Sequence, residues 1–260
     1  MVYYDALRMN SETSTYTTTL ILEHDTTLMT AGFCLSKKIF EALKAERVNF
    51  LHSKENVYFN KLLYPKRQYS YLAGRYCAKQ AISILSSEND PTLLHIQNGI
   101  FQQPIVYHPS HHNVQVSISH TNNFGTALAF SETHPMAIDI ETICSNKIAT
   151  VQTQLTEAEQ ILGRKIVASK SAQFILLWTI KEALSKILKC GFTVPFEILE
   201  IANLAPQAHF IMSHFKNFPQ YQAFSFLLGD IACSLVYPKN TCLKLDTATI
   251  QQRFGKEYDT

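Results

Sequence analysis

Three acidic residues and one lysine carry the clearest chemical signal in this sequence. Asp139 and Glu141 alternate with Ile138 and Ile140 in Ala137-Ile138-Asp139-Ile140-Glu141. On a strand, residues two apart share a face, so both carboxylates converge on one spot while the isoleucines face the core. Close carboxylates with apolar neighbours resist ionisation unless a cation lies between them, and Mg²⁺, held by a few carboxylates plus phosphates and waters, is the natural occupant. An acidic outer face on a half-exposed strand accounts for the same pattern. Glu182 and Lys186 stand four residues apart in Trp178-Thr179-Ile180-Lys181-Glu182-Ala183 and its continuation, side by side on a helix. Such a pair is either a solvated ion pair or an acid and a cation facing a ligand.

Phosphate-binding chemistry is the second signal. The stretch 56–87 holds Lys61, Lys66, Arg67, Arg75 and Lys79 and no acid, a local positive field suited to bidentate phosphate contacts, or else a solvated basic helix face. Ser119-His120 ends a strand just before Asn122-Asn123-Phe124-Gly125, where a hydroxyl and an imidazole can bond a phosphate. Neighbouring strand residues point to opposite faces, so these two do not form a nucleophile and its base. His108, His111 and His112 invite a metal reading that lacks a carboxylate to orient the rings.

The elements that must position these residues follow from periodicity. Helices are predicted over 37–47, over 65–85 with its proline near the start, from Glu157 after the Thr156/Glu159 capping spacing, and over 172–189, closed by Gly191. On the last, Leu177, Ile180, Leu184, Ile187 and Leu188 share an apolar face and Trp178 lies elsewhere as a packing residue. Strands are predicted over 114–120, 126–130 and 136–143, then over 197–201, 208–212 and 224–236; residues 11–22 read as a lead-in or the edge of a first strand. Lys79-Gln80-Ala81-Ile82-Ser83 weakly echoes Lys181-Glu182-Ala183-Leu184-Ser185. The order of helices and strands makes an α+β protein of two similar lobes.

Composition bounds the function classes. The 260 residues are 46% hydrophobic and 17% charged, too apolar for a disordered chain. Lys and Arg number 23 against 21 Asp and Glu, so the chain lacks the strongly basic balance of a dedicated nucleic-acid binder. Cys34, Cys77, Cys144, Cys190, Cys233 and Cys242 are scattered without zinc-type spacing, and reduced thiols in a cytoplasmic protein are the simplest reading. No signal peptide or membrane span is expected.

Taken together, Lys66-Arg67, Leu72-Ala73-Gly74-Arg75 with Lys79, Gly99 with Pro104, Ile118-Ser119-His120, Ile138-Asp139-Ile140-Glu141 and Trp178 to Ala183 with Lys186 resemble the phosphopantetheinyl transferase superfamily in its surfactin-type form. The resemblance runs over residues 50–195. It implies two pseudo-symmetric α/β lobes in one chain with the active site in the cleft between them. The boundaries expected are an N-terminal extension packing on the first lobe (1–45), an N-terminal lobe (46–135) and a C-terminal lobe (136–260). It implies transfer of 4′-phosphopantetheine from coenzyme A to a serine of an acyl, polyketide or peptidyl carrier protein, with release of adenosine 3′,5′-bisphosphate. Mg²⁺ would rest on Asp139, Glu141 and Glu182. Glu182 would take the serine proton and Lys186 would hold the pyrophosphate. Arg67, Arg75, Ser119 and His120 would bind the nucleotide end of coenzyme A. The family's lysine in Gly-Lys-Pro is missing from Gly99-Ile100-Phe101-Gln102-Gln103-Pro104, leaving Gln103 a neutral hydrogen bond to coenzyme A. Ala137 replaces the usual glycine. Short trimeric relatives are about half this length, which favours a two-lobed monomer. Phe192 and Val194 are candidates for an apolar carrier contact. A non-catalytic coenzyme A or carrier-protein binding module, and another Mg²⁺-dependent phosphoryl-group enzyme, are the competing readings.

Overall fold

The polar, β-branched run near the N-terminus is a strand. Ser14–His24 (β1) turns through Asp25, at φ 50°, into Thr27–Lys37 (β2). Aspartate tolerates that left-handed conformation because its short side chain bonds locally. The computed structural model describes residues 14–108 and 113–255, so His111 and His112 lie outside the described residues. The contact pattern divides the chain into two compact units: Leu28–Thr133 with β1 as far as Leu22, and the chain from His134 onward with Glu23–Thr27. Residues 14–37, within the stretch read as an extension, form the hairpin whose second strand pairs with the first unit's sheet.

In the first unit, β2 leads to Phe40–Glu46 (α1), Ser53–Phe59 (α2) and the long Pro65–Ser86 (α3). Then come His95–Asn98 (β3), Pro104–Tyr107 (β4), Val114–His120 (β5) and Gly125–Ser131 (β6). The short strands β3 and β4 form an antiparallel ribbon absent from the sequence prediction, because four residues give too little alternation to read. β1, β2, β6 and β5 lie side by side in that order, with Cys34 opposite Ala127 in the β2/β6 register. Pro65 opens α3 without costing a helical hydrogen bond. The helix packs so closely on the sheet that a Cβ on Gly32 would lie 1.9 Å from the carbonyl oxygen of Ala81. Gly125 is held to the same standard by Ala73 O at 2.9 Å. Cys77, Ala78, Ala81 and Ile82 close this core against Ala127 and Ala129.

The second unit starts with Ala137–Thr142 (β7), followed by Ile148–Gln152 (α4), Glu157–Ile166 (α5) and Lys170–Leu188 (α6). Ile201–Pro206 (β8), Ile211–Phe215 (β9), Tyr221–Leu228 (β10), Ile231–Pro238 (β11), Thr241–Lys244 (β12) and Thr247–Phe254 (α7) complete it. One antiparallel sheet runs β7-β11-β10-β9-β8. α6 covers it with Leu177, Ile180, Ala183 and Leu184, all fully buried. Trp178 stacks on Phe196 with ring centroids 4.9 Å apart, a packing role.

Several predicted boundaries shift. The strand expected at 197–201 is a 3-10 turn over Phe196–Leu199, since Pro195 cannot donate to a ladder and Glu200 N bonds back to Glu197 O. The strand expected at 208–212 is β9, starting three residues later, and the run 224–236 is a hairpin broken at Gly229, φ 56°. α6 ends with Lys189 in the left-handed conformation, φ 54°, ahead of Gly191. Among the described residues no helix is long and apolar enough to cross a membrane.

Candidate active site

In the second unit the acids meet as the strand period requires. Ile138 and Ile140 are buried in the core, and Asp139 and Glu141 alternate with them on β7. Lys186, in the last turn of α6, reaches across to this strand. Its Nζ donates to Ile138 O at 2.9 Å and to Asp139 Oδ1 at 2.8 Å. Glu182 lies one turn earlier on the same helix. The pair of a Glu and a Lys at i, i+4 is therefore no solvated surface bridge, because the lysine is bonded to another element.

Electrostatics ties the cluster together. Burial pushes the Glu182 carboxyl up to about 7; the charge of Asp139 and, less, that of Glu141 add to the rise, and Lys186 opposes it. Burial also raises the Glu141 carboxyl, against the hydrogen bond from Lys147 at 2.6 Å. Three carboxylates thus face two ammonium groups, and Glu182 Oε1 is buried with no hydrogen-bond partner among the described residues. Among the described residues no three His, Cys, Asp or Glu side chains form a ready-made metal cage. Mg²⁺ does not require one, since it keeps several waters and takes one or two carboxylates with substrate phosphates. The hard oxygen donors and the unsatisfied Glu182 oxygen fit such a partial shell.

Behind the cluster lies a second ion pair. Lys181 and Glu159 are fully buried, with Nζ 2.9 Å from Oε2. Glu159 also caps α5 at Thr156 N, 2.8 Å, and accepts from Ile201 N at 3.0 Å. One side chain therefore pins α5, α6 and β8 together.

In the first unit a cavity of about 240 Å³ is lined by Arg67, Tyr71, Arg75, Asn98, Gln102 and His120, among others. Three of the five predicted nucleotide-binding residues of this unit, Arg67, Arg75 and His120, thus converge. Ser119 does not line the cavity, because β5 turns alternate residues away from Ile118 and His120. Gln103 does not either. Its side chain folds back on Gly99 and its Oε1 accepts from Phe101 N at 3.0 Å, while Gln102 turns into the cavity. The reversal comes from Gln102 itself, which sits at φ 63°. Lys79 belongs to no solvated basic face: it is fully buried, 2.6 Å from Glu55 Oε2, and also donates to Pro91 O. His108 bonds Glu88 at 2.9 Å.

Glu55, Asn98, Tyr58 and Tyr71 are site-lining or site-supporting residues that sequence reasoning missed. The signal for Glu55 was present, since it stands three residues after the helix N-cap His52, the spacing of a capping box.

Residues 135–236 match the family model described as the 4′-phosphopantetheinyl transferase superfamily. The match contains Asp139, Glu141, Glu182 and Lys186, so the superfamily segment and the acidic cluster coincide. Among solved structures, the chain is similar over 43% of its length to 96% of a holo-(acyl-carrier-protein) synthase from Bacillus anthracis str. Ames in complex with CoA (3′,5′-ADP), at 20% identity and a TM-score of 0.35. Over 45% of its length it is similar to 96% of a holo-ACP-synthase from Plasmodium yoelii, at 16% identity and a TM-score of 0.33. No curated protein matches the chain.

Proposed function

We propose that this protein transfers 4′-phosphopantetheine from coenzyme A to a serine hydroxyl of an acyl, polyketide or peptidyl carrier protein, releasing adenosine 3′,5′-bisphosphate. The observation that carries the reading is the link from Lys186 to Asp139 beside the buried Glu182, inside the segment matched by the transferase superfamily.

The residues divide the work by charge. Arg67 and Arg75 bind the phosphate of the nucleotide end, as paired guanidinium groups do. Lys186 holds the pyrophosphate and stabilises charge that develops as the bond breaks. Glu182 accepts the proton of the incoming serine. The serine oxygen bonds to the β-phosphorus while the bond from that phosphorus to the bridging oxygen breaks, and the bridging oxygen leaves with the nucleotide. Asp139, Glu141 and Glu182 would hold Mg²⁺, which when bound neutralises pyrophosphate charge as a Lewis acid. Free cysteines throughout suit a reducing cytoplasmic setting.

The test is intact-mass analysis of a panel of apo carrier proteins incubated with the protein and coenzyme A, with Mg²⁺ or with EDTA. A gain of one phosphopantetheine only with Mg²⁺ is the expected result. Coenzyme A binding without a mass gain on any carrier would replace the transferase by a binding module.

A further inference from the structure

The cavity of the first unit contains a chain of hydrogen bonds whose direction is fixed at one end. Glu55 is 1% exposed and holds Arg75 as an ion pair, its Oε1 3.4 Å from Nε without a hydrogen bond, so the chain starts at Arg75. Arginine donates only, so the atom 3.2 Å from its Nη2 must be the oxygen of Asn98. Asn98 therefore presents Nδ2 on its other side, and at 3.2 Å that group donates to Gln102, which must answer with Oε1. The amide of Gln102 is left with its N–H₂ group outward, and Nε2 has no partner among the described residues. Arg75 is further held by Tyr71, its guanidinium carbon 4.8 Å from the ring centroid. Gln102 maintains this arrangement from a left-handed backbone, φ 63°, that a glycine would adopt more readily.

We infer that Gln102 is a specificity-determining residue, held by the Glu55–Arg75–Asn98 relay as a neutral donor to an acceptor atom of the bound nucleotide. This rests on the transferase reading, which supplies the nucleotide. The two sources of such an acceptor are a phosphate oxygen and a ring nitrogen of the base. Glu55 and Asn98 are positioning residues in this scheme.

The experiment is calorimetry on the full chain with adenosine 3′,5′-bisphosphate, adenosine 5′-phosphate and ribose 3,5-bisphosphate, the last lacking the base. Melting temperature is followed for each variant. Gln102→Gly deletes the side chain without straining the backbone. It should weaken adenosine 3′,5′-bisphosphate about 3- to 10-fold, the scale of one hydrogen bond. Gln102→Glu, which offers only acceptors, should weaken it further. Asn98→Asp makes Gln102 turn its oxygen outward, and in that background Gln102→Gly should cost less than twofold, which a merely structural role would not produce. Loss of the Gln102→Gly effect with adenosine 5′-phosphate assigns the acceptor to the 3′-phosphate; loss with ribose 3,5-bisphosphate assigns it to the base. If Gln102→Gly and Gln102→Glu bind every ligand within twofold of wild type while Arg75→Ala loses binding, the inference is overturned and the transferase reading stands. Failure of the wild-type protein to bind adenosine 3′,5′-bisphosphate overturns both.

Discussion

Glu55 in the first unit and Glu159 in the second occupy the same place in one local design. Each is the third residue of a capping box, each accepts through Oε2 from its N-cap backbone and from a buried lysine of the long helix, and each accepts through Oε1 from the backbone of an isoleucine that follows. The lysines are Lys79 and Lys181, the first residues of the two short segments that echo each other in sequence. The strand orders β2-β6-β5 and β7-β11-β10 correspond as well. What differs is the helix position four residues before the lysine and the position after it. The first unit has Arg75 and Gln80 there; the second has Leu177 and Glu182. β2 contains no carboxylate, whereas β7 contains Asp139 and Glu141. A shared buried frame thus carries opposite charges beside it, a guanidinium in one unit and carboxylates in the other, because exchanging one polar side chain beside a buried lysine leaves the frame intact.

The sharpest way to break this comparison is to exchange the residues that distinguish the units. Glu182→Gln should slow carrier modification by about 10²- to 10⁴-fold, the range for losing a general base, while coenzyme A binding persists. Gln80→Ala, the matching position of the first unit, should leave the rate within about twofold. Equal losses from the two variants, measured as rates of carrier mass gain, would erase the distinction.

Next in size is the shared frame itself. Glu159→Ala strands the Lys181 ammonium in the core and should cost about 3–5 kcal/mol of stability in urea unfolding. Glu55→Ala should cost at least as much, since it strands both Lys79 and Arg75. It should also weaken adenosine 3′,5′-bisphosphate, whereas Glu159→Ala, if it folds, should not. Replacing Glu159 and Lys181 together by apolar residues of similar volume should restore much of the loss. A double variant no better than Glu159→Ala alone would show that the hydrogen bonds to Thr156 and Ile201, rather than the charge, hold the unit.

The smallest effect separates the units by pH. His134 in the second unit is buried and shares the Thr241 hydroxyl with His24, at 3.2 and 2.9 Å. Burial first, and the neighbouring His24 second, hold its imidazole below the usual range. The unfolded chain takes up a proton near pH 6.5 that the folded chain refuses until lower pH, so this contribution is fully present above about pH 6.5 and is lost as pH falls towards the folded value. The urea midpoint should therefore decline from pH 7 to pH 5, and decline less in His134→Gln. Identical slopes would remove His134 as the source.

Alternation and helical spacing were enough to make the acidic cluster of the second unit legible. Period two around Ile138 and Ile140 put Asp139 and Glu141 together, and the spacing of Glu182 and Lys186 put them on one helix face. The basic cavity of the first unit was legible only in part. Arg67, Arg75 and His120 line it together, and of the two adjacent glutamines Gln102 rather than Gln103 enters it. Which of two adjacent glutamines enters a cavity depends on the backbone angle of a turn, and the sequence Gln102-Gln103 carries no sign of it. The strand expected at 197–201 failed for a related reason: an apolar run after a proline fits a strand or a turn equally well until its backbone partners are known.

By itself, then, the sequence determined the residue chemistry and its local placement: which strand bears the acids, where α5 is capped, and that two segments echo each other. Periodicity carries such information because it depends only on neighbours along the chain. Tertiary structure decided the partners: that Lys186 bonds Asp139, that Lys79 and Lys181 are buried on Glu55 and Glu159 instead of facing water, and that the relay from Arg75 through Asn98 ends on Gln102. Those outcomes rest on pairs as much as 47 residues apart, and a side chain's partner across such a span is set by packing and desolvation in the folded chain, which no local pattern records.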